Sequence, residues 1–217
     1  MIVQQTWSYA LAHLPDLALA TRQHIALSAS ALALALLACV PLGIWTAHAP
    51  AGRSIVAAVT GLRVVPSLAV LAFMLPITGV GYASALVALT LLACPPILIN
   101  TDVAFRGVEP AVIEAANGMG MRGAQVLRRI EYPLALPVMI AGLRTSTIEV
   151  IASATLAAFI GGGGLGTLIL DGLANNDMRQ LVLGGGTVAL LAIAAESLIG
   201  IWEHRTAARY GRTSGVA

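Results

Sequence analysis

Few side chains in this sequence are equipped for chemistry, and their spacing excludes most of it. All 12 basic residues are arginine. A phosphate loop built around a lysine and a Schiff-base lysine are therefore both out of reach. His13, His24, His48 and His204 show no metal-ligand spacing. Cys39 and Cys94 lie in separate apolar runs, where a free cysteine behaves as a small buried hydrophobe. Two stretches match Gly-x-Gly-x-x-Gly, at Gly118–Gly123 and Gly161–Gly166. Neither opens a strand-then-helix unit with an acid about 20 residues on, so no dinucleotide site and no cofactor are expected. The second stretch reads instead as a turn that packs tightly and leaves backbone groups able to face water.

The remaining chemistry is electrostatic. Arg144 and Glu149 interrupt an otherwise apolar run, and in lipid such charges must face protein or a water-lined path. Arg144 is placed to snorkel toward lipid phosphates. Glu149 needs a partner from another helix, and Arg63 stands at a matching depth. That pair reads either as a structural tie or as part of a gate or path.

The charges are otherwise concentrated in EAANGMGMRGAQVLRRIEYPLALP, residues 114–137. Residues 112–120 read as a short helix starting after Pro110 and stopping at glycine. Glu114 is expected near its N-terminal, positive end. Ala115 and Ala116 would let another surface approach the backbone. A second helix is expected at 125–131, with Pro133 and Pro137 redirecting the chain into the next segment. The stretch reads as a docking element, or as an ordinary polar loop.

The elements that must hold these residues are membrane spans. The 217 residues are 58% hydrophobic and 10% charged, with net charge +2. Soluble domains are about 25% charged, and so small a net charge disfavours a nucleic-acid partner. Spans of about 20 apolar residues fit at 25–47, 54–76, 82–101, 136–160 and 181–202. Residues 1–23 read as an interfacial helix or a disordered lead-in. With the N-terminus outside, eight arginines fall in the inner connections and only Arg22 and Arg179 outside, a strong positive-inside bias. The expected chain is all-α and polytopic, with about five core transmembrane helices and a cytoplasmic loop. Its expected divisions are an extracytoplasmic segment 1–23, a membrane domain 24–205 and a cytoplasmic tail 206–217.

The loop resembles the Glu-Ala-Ala motif of ABC importer permeases, through Glu114, Ala115, Ala116, Gly120, Ile130 and Pro133. Tyr132 stands where that motif has leucine. GLRVVPSLAVLAFMLPITGVG (61–81) and PLALPVMIAGLRTSTIEVIASATLAAFIGGGGLGTLI (133–169) resemble the glycine betaine, carnitine and choline branch. Methionine importers share the loop and the Gly-Gly-Leu-Gly segment. The resemblance implies a methionine-importer-like permease fold in the inner membrane, with 112–131 as a coupling helix for cytosolic ATPase subunits. It also implies a second permease subunit, an extracytoplasmic binding protein and lipid as partners. Arg63, Pro66, Ser67, Thr147, Glu149 and Ser153 are the expected path residues. Arg63 departs from the neutral polar residue usual in that branch.

An intramembrane enzyme would need Ser/His or paired carboxylates at one depth, whereas these histidines flank the spans. A secondary transporter would be supported by internal repeats, and none is visible. With 5% aromatic residues, the chain is a poor place for an aromatic cage around a quaternary ammonium.

Overall fold

The computed structural model describes residues 2–209, and among them every regular element is helical. α1 (Ile2–Ala12) and α2 (Leu14–His48) meet at His13. Pro15 opens α2 rather than breaking an amphipathic turn, because the first helical turn has no use for its missing N–H. The first long helix therefore begins ten residues before the expected boundary. Of the expected tail, 206–209 continue α10 and the rest lies outside the described residues.

The second expected span is broken. α3 (Gly52–Gly61) runs into a 3₁₀ turn (Leu62–Val64), Val65 is extended, and α4 (Ser67–Thr78) leaves at 99°. Pro66 causes this, since the residue before a proline is pushed out of the helical region. Next come α5 (Tyr82–Arg106), α6 (Pro110–Gly118), α7 (Gly123–Val126), a π turn (Leu127–Glu131) and α8 (Tyr132–Leu156). A 3₁₀ turn (Ala157–Ile160), α9 (Leu165–Ala174) and α10 (Met178–Arg209) complete the order. The short α9, apolar and set between the fourth and fifth spans, was not foreseen.

Two ends of the bundle can be fixed from contacts. At the loop end, the Arg106 guanidinium donates to the Thr46 carbonyl, tying the close of α5 to the close of α2. Gly52, starting α3, lies directly against Thr46. At the glycine end, Gly81 N–H donates to the Ile160 carbonyl at 2.7 Å, and Gly164 packs on His24. The α3–α4 pair thus enters at the loop end and leaves at the glycine end. It is a bent crossing, not a loop returning to its own side, and counted as one span it brings the helical crossings among the described residues to five.

Small residues allow these helices to approach. Without a hydrophobic drive in lipid, association rests on van der Waals contact, which small side chains permit. Ala31, Ala35, Cys39 and Gly43 recur every fourth residue along the buried face of α2. A Cβ on Gly43 would lie 2.7 Å from the Thr101 Cβ of α5. On α8, a Cβ on Gly142 would lie 2.5 Å from the Asn100 Cβ. Ser146 of α8 also donates to the Ala93 carbonyl of α5 at 3.0 Å. Leu71, Leu89, Leu98 and Val150 close the same core, and Cys94 packs half-buried against it.

Candidate functional site

The charged loop folds into a stub at the loop end. Glu109 precedes Pro110, the first residue of α6. Glu114 is therefore the fifth helical residue, a turn beyond the place where the dipole acts, and the expected N-terminal pairing is not made. The helix ends in a Schellman arrangement. Met121 N–H reaches the Ala116 carbonyl at 3.2 Å, Gly120 N–H reaches the Asn117 carbonyl at 2.9 Å, and Gly120 takes φ +80°. Ala116 is buried beneath the stub, whereas Glu114, Ala115 and Met119 are exposed.

The expected second helix is not a separate element. Gln125 Oε1 accepts from Arg122 N–H at 2.8 Å at the start of α7. The chain then passes through the π turn into α8, one helical run over Gly123–Ile160. Pro133 and Pro137 do not redirect it. Proline removes an N–H and crowds the carbonyl four residues back. The π turn, where Tyr132 N–H reaches the Leu127 carbonyl, widens the backbone just ahead of Pro133.

A polar cluster fastens this run to the bundle. The buried Glu131 carboxylate lies 3.1 Å from His48 Nε2 at the end of α2. His48 meets the Phe105 ring edge-on, and Phe105 in turn lies against Tyr132. Arg106 Nε donates to Asp102 at 2.8 Å. The i, i+4 spacing of Asp102 and Arg106 was readable in sequence. His48 and Glu131 are 83 positions apart, and nothing local announces their meeting.

The second site is a cavity of about 300 Å³ in the elbow of the broken span. Arg63, Pro66 and Ser67 line it from the break, Pro95 from α5, and Glu149 and Ser153 from α8. Of the expected path residues only Thr147 stands apart. It is buried and donates to the Leu143 carbonyl of its own helix at 2.8 Å. Arg63 and Glu149 share the cavity without an ion pair inside 4.0 Å. The wall contributions of Leu92, Pro95 and Ala152 were not foreseen, because no sequence pattern marks an elbow's inner face.

Residues 39–207 match the family described as binding-protein-dependent transport system inner membrane component. The chain belongs to this family. The choline transport system permease protein OpuBB of Bacillus subtilis is 42% identical over 186 residues, 85% of this chain and 86% of that protein. The carnitine transport permease protein OpuCB of Listeria monocytogenes is 42% identical over 192 residues, 88% of each chain. Among solved structures, the inward-facing MetNI methionine ABC transporter matches with a TM-score of 0.74, covering 90% of this chain and 96% of that one. At 23% identity this likeness carries the fold, and the methionine-importer-like permease architecture expected from the motif is present.

Family membership gives the remaining charges a setting. A membrane component that works with a binding protein has to hold its own helices while a path opens beside them. Arg144 does not snorkel: it donates to Glu196 at 2.7 Å and to Glu203 at 3.3 Å, pinning α8 to α10. The guanidinium lies over Gly200, which leaves room for it. At the glycine end, Gly163 and Gly164 take φ +75° and +82°. Gly164 N–H donates to the Gln23 side chain at 3.2 Å, so the glycine run forms a turn locked onto α2. Beyond the membrane span, Arg179 donates to Asp177 and holds that carboxyl below the ordinary aspartate range.

Proposed function

We propose that this permease imports a quaternary amine osmoprotectant of the glycine betaine, choline or carnitine class. The observation carrying the reading is that relatives named for choline and carnitine transport match at 42% identity along more than four-fifths of the chain. ATP is hydrolysed by a separate subunit docked on residues 112–131. Glu114, Ala115, Ala116, Gly120, Ile130 and Pro133 form or position the docking stub, and the exposed small Ala115 gives the partner close access to backbone. Two permease subunits enclose the path, with Arg63, Pro66, Ser67, Glu149 and Ser153 on its wall, because five helices make a thin wall for a hydrated solute. The elbow cavity contains no aromatic ring, so tight recognition of the ammonium group falls to the binding protein.

In this reading the loop end is cytoplasmic. It holds Arg53, Arg106, Arg122, Arg128 and Arg129, against Arg22 and Arg179 toward the opposite end. The membrane domain is residues 24–205, continuous with the helical lead-in. The deciding experiment is uptake by the reconstituted permease, ATPase and binding protein, offered labelled glycine betaine, choline, carnitine and methionine. ATP-dependent accumulation of at least one quaternary amine, uncompeted by methionine, is expected. Uptake of methionine with none of the amines would overturn the assignment.

A further inference from the structure

A groove away from the elbow cavity has the build of a lipid site. α2 and α10 both pack on α8 but diverge from each other, and α5 and α8 floor the gap. The resulting groove, about 410 Å³, is lined by Leu36, Val40, Ile97, Met139, Leu143 and Trp202, among others. Leu37 on its rim is 74% exposed, so no described residue covers the opening there. On α8 the groove residues Leu136, Met139, Ile140 and Leu143 occupy a different face from Glu149 and Ser153.

The groove does not end blindly. Leu136 and Trp202 also line an adjoining cavity of about 490 Å³ whose other walls are Arg205, Thr206 and Arg209. Arg144 is matched by Glu196 and Glu203, and Arg106 by Asp102. No described carboxylate pairs with Arg205 or Arg209. An apolar slot thus opens onto a hydroxyl and two guanidiniums that no described carboxylate neutralises, with a tryptophan at the junction, the residue favoured at membrane interfaces.

We propose that this groove binds an anionic phospholipid. One acyl chain lies between α2 and α10, and the headgroup phosphate sits on Arg205 and Arg209. Charge complementarity selects this occupant over a zwitterionic lipid, since each arginine near the membrane surface favours an anionic headgroup by about five-fold. A second permease copy would cover the apolar slot but leave its own match for both arginines unexplained. The bound lipid bridges the first and last long helices, which both pack on α8, α9 and α1.

The test uses the complete permease–ATPase complex in bilayers of phosphatidylcholine and phosphatidylglycerol. Two photoactivatable lipids carry the same diazirine on the acyl chain, one with a phosphatidylglycerol headgroup and one with phosphatidylcholine. Labelled peptides are mapped by mass spectrometry. Labelling within 36–41 and 136–143 should be at least about five-fold stronger from the phosphatidylglycerol probe. The Arg205→Gln/Arg209→Gln variant should fall to the phosphatidylcholine level while still co-purifying with the ATPase. Equal labelling by both probes, or a preference that survives the double change, overturns the proposal. So does a groove that neither probe labels, which would mean protein covers it. Loss of ATPase co-purification in the variant would assign the arginines to a protein contact instead. None of these readouts depends on which solute the importer carries.

Discussion

Gly120 and Ala115 would fail for different reasons if enlarged. A Cβ at Gly120 meets no atom within 4 Å, yet the residue sits at φ +80°. Gly120→Val is therefore strained by backbone conformation and not by crowding. Ala115 is exposed, so Ala115→Leu leaves this chain's packing intact and obstructs only a partner. An overpacked contact costs about 1–3 kcal/mol. Both variants should insert and accumulate normally but lose ATPase co-purification, and with it substrate-dependent ATP hydrolysis; retention of both activities would reduce the stub to a polar connector. Arg63 and Glu149 share a cavity but lie beyond ion-pair distance. Their double-mutant cycle, read as thermal stability of the detergent-extracted complex, should show coupling of about 0.5 kcal/mol or somewhat more, carried by the shared cavity and not by a direct pair. Arg144 behaves otherwise. Arg144→Gln strands two partly buried carboxylates, and should lower the unfolding midpoint of the detergent-extracted complex. An unchanged unfolding midpoint would show that α10 is held without it.

At the scale of the helix, Pro66 carries the elbow. Pro66→Ala frees Val65 to become helical and lets α3 and α4 align, which would collapse the cavity in their angle. The variant should be made and assembled at normal levels while uptake falls by roughly ten-fold or more, as expected when positioning is disturbed by about 1 Å. Normal uptake would mean that the bend is set by neighbouring helices. This element also marks how far sequence reading goes. Apolar runs gave the five crossings because their length is imposed by the bilayer. They could not give the 99° break, since Pro66 marks an interruption without fixing the angle at which the next helix leaves. The stub was legible in outline, because Pro110 and Gly120 act locally as start and stop. The fusion of α7 with α8 was not, because proline signals an interruption and a π turn that absorbs it has no sequence mark. His48–Glu131 and Arg144–Glu196 were equally hidden, both being products of packing between distant segments.

For the whole molecule, the odd number of crossings puts α1 and the close of α10 at opposite ends of the bundle. Cysteines introduced at Gln5 and Ser214 can be tested in intact cells with an impermeant thiol reagent, in a Cys39→Ala/Cys94→Ala background. Position 5 should label and position 214 should not. The reverse would invert the permease, and labelling at both would reduce the crossings to an even number. The unbroken run Gly123–Ile160 has a mechanical consequence. At 1.5 Å per residue its 38 residues form a rod roughly 57 Å long, so a tilt of about 5° about the middle swings each end by roughly 2.5 Å. His48–Glu131 and Arg144–Glu196 brace it near one end and near its centre. Ser153 and Glu149 lie past the centre on the far arm. In the coupling proposed above, a push on the stub would reach the cavity wall as a seesaw, with the fulcrum near Arg144.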